Sequence, residues 1–282
     1  MTGVATAARS APAQRTSAVR AGFVPRVLAV PAVVGLALLV LPLGALVLRV
    51  EWNTLWTDVT SPQALSALGL SLATGAAATV VCVVLGVPLA LLIARSTVRT
   101  AAVLRALVTV PLVLPPMVGG VAMLFLFGRT SWLGGALAEW GIRIPFTTTA
   151  VVLAQTFVAL PFLVLALEGS LRSTGVGYEQ AAAGLGAGRW TILARVTLPL
   201  AAPGLVAGIV LCFARAIGEF GATALFAGNA PGVTQTMPLA IYTAFNGAGV
   251  SQGTAVALSL LLLVTAVGVL LLVRAWRAEA PR

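Results

Sequence analysis

The chain has 282 residues, is 60% hydrophobic and only 9% charged, and carries a formal net charge of +10. A soluble domain has about 25% charged residues, so a mean hydropathy of +1.06 and repeated apolar runs of about 20 residues or more indicate a polytopic helical membrane protein. All 17 basic residues are arginine and histidine is absent, which removes the lysine of a phosphate-cradling P-loop and the commonest general base and metal ligand.

The chain is therefore expected to be no enzyme, with no catalytic residue, no metal site and no cofactor of its own. The apolar runs lack the period-two alternation of a membrane β-barrel. Residues 1–26, rich in Ala, Ser, Thr and Arg without an acid, read as a disordered cytoplasmic tail. The apolar run from Val27 to Leu48 exceeds the roughly 7–15 residues of a signal peptide and reads as an uncleaved first span. Six spans are expected: 27–48, 66–94, 102–127, 147–167, 201–226 and 252–273.

Between these spans the charge divides unevenly. Thirteen arginines (9, 15, 20, 26, 95, 99, 105, 172, 189, 195, 274, 277 and 282) fall on one side, against Arg49, Arg129 and Arg143 on the other. The positive-inside rule places both termini in the cytoplasm. In the third span Pro111, Pro115 and Pro116 precede Gly119 and Gly120. Each proline removes a backbone donor, so that helix is either broken, as at permeation sites, or kinked; a simple kink is the plainer expectation. Cys82 and Cys212 both fall in spans and read as small packing residues.

The segment Tyr178–Pro199 is too polar for lipid and lies on the arginine-rich side. Ala181, Ala182 and Ala183 favour a helix that Gly186 and Gly188 stop, followed by a second helix ending before Pro199. A helix lying on lipid is the alternative, but the Ala/Gly-rich face lacks bulky apolar anchors. Next, Arg215 and Glu219 form the only charged pair well inside a span, the fifth. A central arginine costs about 2.5–3.5 kcal/mol on insertion scales, whereas an i,i+4 pair returns only about 0.2–0.5 kcal/mol. The pair therefore lines a polar pathway or is buried between helices. On the outer side, the uncharged stretch Gly228–Tyr242 contains Thr234, Gln235 and Thr236, which either contact substrate or a docking protein or belong to a solvated loop capped by a short interfacial helix.

At this point the residues resemble a known family. The segment Glu179–Pro199 is similar to the cytoplasmic "EAA" loop of permease subunits of type I ABC importers. Gln180, Ala181 and Ala182 occupy the Glu-Ala-Ala positions, Gly186 the glycine, and Val196, Leu198 and Pro199 the Ile-x-Leu-Pro ending. The departures are Gln180 and Val196, with Glu179 supplying an acid one position earlier. Arg215–Thr223, with Gly218-Glu219-Phe220-Gly221, and Thr234-Gln235-Thr236 with Pro238–Tyr242 resemble permeases of molybdate importers. Sulfate/thiosulfate permeases share the Gly-Glu-Phe-Gly part. The resemblance covers roughly residues 60–275, leaving 27–59 as a first helix and outer loop and 276–282 as a cytoplasmic tail.

It implies an all-α transmembrane permease in the bacterial plasma (inner) membrane, with a coupling helix between its spans. It further implies pairing with a second copy as a homodimer. Two ATP-binding subunits would hold ATP and Mg, and an extracytoplasmic molybdate-binding protein would deliver molybdate or tungstate. Glu179, Gln180, Ala181, Ala182, Gly186, Leu198 and Pro199 would couple to the ATPase, and Arg189 and Arg195 would face acids beside its cleft. Arg215, Glu219 and Thr223 would lie on the path, and Thr234, Gln235 and Thr236 at an outer gate or binding-protein contact. Membrane lipid is the surrounding solvent, and nucleic acid is no partner. The rivals are a sulfate permease, a proton-coupled carrier using Glu219, and an intramembrane enzyme, which the missing histidine disfavours.

Overall fold

The computed structural model describes residues 26–247 and 252–279, so the expected N-terminal tail lies almost wholly outside the described residues. Among the described residues the secondary structure is helical throughout. The chain divides into two units, Met1–Leu48 and Arg49–Arg282. In the first, a turn of 3₁₀ helix at Arg26–Leu28 leads into α1 (Ala29–Leu48). Its 20 residues extend about 30 Å at 1.5 Å per residue, the thickness of a bilayer core.

The second unit begins with the short α2 (Leu55–Val59) and the long α3 (Pro62–Arg95). Ser61 starts α3: its Oγ accepts the Ala64 N–H at 3.2 Å, and Pro62 sits where no backbone donor is needed. Helix α4 (Val98–Val113) is followed by α5 (Pro116–Phe127) and α6 (Trp132–Glu139). The remaining elements are α7 (Thr148–Thr174), α8 (Gly177–Gly184), α9 (Arg189–Ile192), α10 (Leu198–Ile217), α11 (Gly221–Phe226), α12 (Met237–Asn246) and α13 (Gln252–Glu279).

Five helical stretches are long and apolar enough to cross a membrane, and a sixth crossing exists if α4 and α5 count as one. Helix α7 is the most buried and packs between α3 and α10. Small residues bring the axes together: a Cβ at Gly86 would meet Leu163 Cδ2 at 2.7 Å, and one at Gly208 would meet Leu163 Cα at 3.1 Å. In lipid, where burial of apolar surface gives no drive, such close contact is what holds helices together. Ala78, Cys82, Ala159, Leu163, Cys212 and Ala216 form one cluster at this junction. The two cysteines are free and buried within it, which matches their expected packing role.

Three features differ from the sequence expectation. The third span is broken, not kinked: α4 and α5 meet at 109°. Leu114 and Pro115 are extended (ψ 135° and 132°), as residues preceding prolines are driven to be. Gly119 then admits the Phe157 ring, and Gly120 admits the Ala222 backbone, where a Cβ would lie 2.8 Å from the Ala222 oxygen. These contacts hold α5 off the α4 axis. The second difference is that the helix after Gly188 does not end before Pro199. It passes through a π turn at Leu193–Thr197 directly into α10, with Leu198 N–H donating to Leu193 O. Widening by one residue accommodates a proline that has no N–H to offer its preceding turn.

Thirdly, the fifth span stops at Ile217, short of the expected 226. Gly218 ends α10, and a new helix begins at Gly221. Glu219 thus lies in the break rather than on the helix with Arg215.

Candidate functional site

Helix α8 is held in shape by its own ending. Ala187 N–H donates to Ala182 O and Gly186 N–H to Ala183 O, both at 3.0 Å, while Gly186 has φ 85°. This is a Schellman closure, and it needs the left-handed residue that glycine supplies without strain. The acid preceding it is turned inward. Glu179 Oε1 accepts from Arg95 Nη2 at 2.5 Å and from Thr197 Oγ1 at 2.8 Å. One carboxylate therefore joins α8, the end of α3 and the π turn.

What remains outward is a small-residue face with apolar flanks. Gln180 and Ala181 are exposed, Ala182 and Leu198 half-buried, and Pro199 exposed. Arg189 and Arg195 are exposed and form no ion pair with any described residue. Beside the small-residue face the segment carries bulky apolar groups: Leu185 is 90% and Trp190 82% exposed. They flank the glycine break, where a partner's surface can receive them.

At the other end of α10, Arg215 Nη2 lies 2.6 Å from Glu219 Oε2. Glu219 is only 1% exposed, and its Oε1 accepts the Ala222 N–H at 2.8 Å. Its carboxylate thus starts α11 as well as compensating the arginine. Thr223, one residue on, is fully buried and its hydroxyl has no partner. Gln155, which sequence reasoning missed, is fully buried with both amide atoms unpartnered. The antiparallel register that sets Gly208 against Leu163 and groups Cys212 with Ala159 brings Gln155 level with Ala216. Buried polar groups are nearly always hydrogen-bonded, so unsatisfied groups at one level of the bundle mark it as a polar stratum.

A second overlooked residue is the acid Glu168. It falls one residue past the expected end of the fourth span but is only 3% exposed, inside α7. Arg105 Nη2 reaches Oε1 at 2.5 Å, Arg105 Nε reaches Oε2 at 3.2 Å, and Arg172 Nε approaches Oε1 at 2.7 Å. The i,i+4 spacing from Glu168 to Arg172, acid first, is the favourable helical order and was the available signal. The link to Arg105 is tertiary.

The outer threonines are enclosed. Thr234 is buried and its Oγ1 accepts the Ala230 N–H at 2.9 Å, closing the turn. Thr236 is buried at the start of α12 with an unpartnered hydroxyl. Both side chains are therefore enclosed within the chain, and of the three outer residues only Gln235 is partly exposed. Gln235 is half-buried and donates to Asn229 Oδ1 at 3.0 Å, while Asn229 donates to Thr243 Oγ1 at 2.9 Å. The stretch is thus a braced loop whose following helix packs Met237, Ala240 and Ala244 into the α3–α13 core.

Among the described residues the molecule is thus a bundle of spanning helices with a capped surface helix between two of them and buried charged groups in its interior. The chain belongs to the family of binding-protein-dependent transport system inner membrane components, whose pattern matches residues 83–277. It is 52% identical over 247 residues to the molybdenum transport system permease protein ModB of Mycobacterium tuberculosis (strain ATCC 25618 / H37Rv), covering 88% of this chain and 92% of that protein. Similarity to the sulfate transport system permease protein CysT of Escherichia coli (strain K12) is lower, 35% over 208 residues and 73% and 75% of the two chains. Among solved structures, a chain of a bacterial alginate ABC transporter, crystallised with its alginate-bound periplasmic protein, superposes with a TM-score of 0.70 at 16% identity, over 88% of this chain and 91% of that one. That likeness confirms the fold.

Proposed function

We propose that the chain is the permease subunit of an ATP-driven molybdate importer. The observation that carries the cargo is the 52% identity to a molybdenum permease across nearly the whole length of both chains, against 35% to a sulfate permease. In this reading two copies pair in the plasma membrane with both termini in the cytoplasm. Two separate ATP-binding subunits hold ATP and Mg beneath them, and an extracytoplasmic binding protein delivers the anion.

The face of α8 bearing Gln180, Ala181 and Ala182 seats in the ATPase, with Leu185 and Trp190 as apolar contacts and Arg189 and Arg195 meeting acids beside the cleft. Gly186 fixes the angle at which that face is offered, and Leu198 and Pro199 carry its motion into α10. When the ATPases close, α8 moves. Glu179 passes that movement to α3 through Arg95 and to α10 through Thr197, so both helices rock against α7 and access alternates. The polar stratum of Arg215, Glu219, Thr223 and Gln155 borders the path. Because Glu219 offsets Arg215, the passage holds the anion weakly, which suits a conduit more than a store.

Uptake of labelled molybdate into liposomes tests this reading. With permease, ATPase and binding protein together, uptake is expected only in the presence of ATP and is expected to exceed sulfate uptake. Uptake by the isolated chain down a proton gradient, or a preference for sulfate, overturns it.

A further inference from the structure

At the end of the bundle opposite α8, the connection from α5 to α7 builds a hollow. Helix α6 is drawn tightly against the end of α5: a Cβ at Gly134 would collide with the carbonyl oxygens of Phe127 and Gly128. It is capped at both ends. Ser131 Oγ accepts the Gly134 N–H at 2.9 Å, and at the far end Ile142 N–H donates to Leu137 O and Gly141 N–H to Ala138 O around a left-handed Gly141 (φ 77°). Beyond it, Phe146 is the only non-glycine residue with positive φ (62°) among the described residues. Its N–H is tied to Phe226 O at 3.2 Å. A bulky side chain in that region is a true outlier, and here it turns the Phe146 ring to the surface.

These constraints enclose a hollow of about 370 Å³, walled by Leu124, Phe127, Ile142 and Phe146 and flanked by Arg129 and Arg143. That size is within the usual range for ligand pockets, about 300–1,000 Å³. The two arginines make up two-thirds of the arginines assigned to this side of the chain. Both are exposed, and neither forms an ion pair with a described residue. Trp132 and Trp140, at the two ends of α6, are 79% and 84% exposed. Exposed tryptophans beside the ends of spanning helices sit at headgroup depth.

We infer that this hollow binds an anionic phospholipid, with the phosphate between Arg129 and Arg143 and part of an acyl chain in the apolar cavity. Paired basic groups beside an apolar recess fit such an amphiphile. Arginine matches a phosphate through its planar fork of donors, and its guanidinium is more weakly hydrated than an ammonium, which suits an interfacial site. An acidic protein surface would satisfy the arginines but leave the apolar hollow beside them unfilled. The inference does not depend on which anion is transported.

The test is lipid retention by the assembled transporter in detergent, read by native mass spectrometry while titrating phosphatidylglycerol or phosphatidylcholine of identical acyl chains. Phosphatidylglycerol is expected to be retained on the order of tenfold more strongly. R129Q/R143Q should abolish the difference, whereas R99Q/R277Q, which removes equal charge on the arginine-rich side of the sequence, should preserve it. A138W, which fills the hollow without changing charge, should also abolish it. Retention unchanged in R129Q/R143Q and A138W overturns the inference. So does displacement of the lipid by inorganic phosphate at comparable concentration, which would make the site a plain anion site. A double arginine variant that loses only affinity for the binding protein would assign the surface to protein docking and equally overturn it.

Discussion

Two residues of the α8 region separate stability from function. Gly186 has open space around it, with nothing within 4 Å of the point a Cβ would occupy, but its φ of 85° is left-handed. A β-branched side chain there costs about 1–2 kcal/mol through the backbone alone, and relief of that strain re-aims α8. Gly186→Val is expected to insert and assemble normally while ATP hydrolysis no longer drives uptake; coupled transport at the native ratio would refute the docking role. Glu179 and Arg95 are both partly exposed, and such a pair is worth about 0–1 kcal/mol. Glu179→Gln should therefore leave the melting temperature nearly unchanged and lower the molybdate carried per ATP, with partial recovery in the R95E/E179R exchange.

The buried acids behave differently. Glu168 is enclosed, but its two arginines are 40% and 48% exposed and can return to water when it is removed. Glu168→Gln should accordingly cost about 1–3 kcal/mol, the range for one lost charged hydrogen-bonding group, and less than the roughly 3–5 kcal/mol of an ion stranded in the interior. Thermal unfolding of the purified chain measures it. Arg215 compensates a nearly inaccessible carboxylate, so Arg215→Ala should impair expression or transport far more than Arg99→Ala. Equal tolerance of the two changes would remove any special role for the intramembrane pair.

At the level of elements, the departures from sequence expectation share one cause. A proline announces a lost donor but not how the chain absorbs the loss. At Leu114–Pro116 the chain turns by 109°, because Gly119 and Gly120 let α5 dock against Phe157 and Ala222. At Pro199 the loss is absorbed by the π turn, and the helix runs on. That continuity makes α9 and α10 one lever. Pro199→Ala returns a donor and favours regular α-helical register; it should leave folding intact and reduce coupled uptake by changing the angle at which α8 meets its partner. Native uptake in that variant would show that the π turn has no part in transmission.

For the whole molecule, the sequence by itself determined the class: the apolar runs demanded a helical membrane protein, and the missing lysine removed nucleotide hydrolysis through a P-loop from this chain. It also identified the surface helix between spans, with Gly186 as its turning point, since composition, periodicity and a short motif are local properties. Only the tertiary structure decided which polar groups face one another. It enclosed Thr234 and Thr236, expected at an outer gate or binding-protein contact, within the chain itself. It turned Glu179 toward Arg95, 84 residues away, and drew Glu168 into the bundle beside Arg105. It also revealed Gln155 as a fully buried amide with neither polar atom hydrogen-bonded. The physical reason is that in lipid a polar group is satisfied by whichever helix stands beside it, and helix neighbours are chosen by small-residue contacts such as Gly86 and Gly208 against Leu163, whose pairing no local pattern in the chain records.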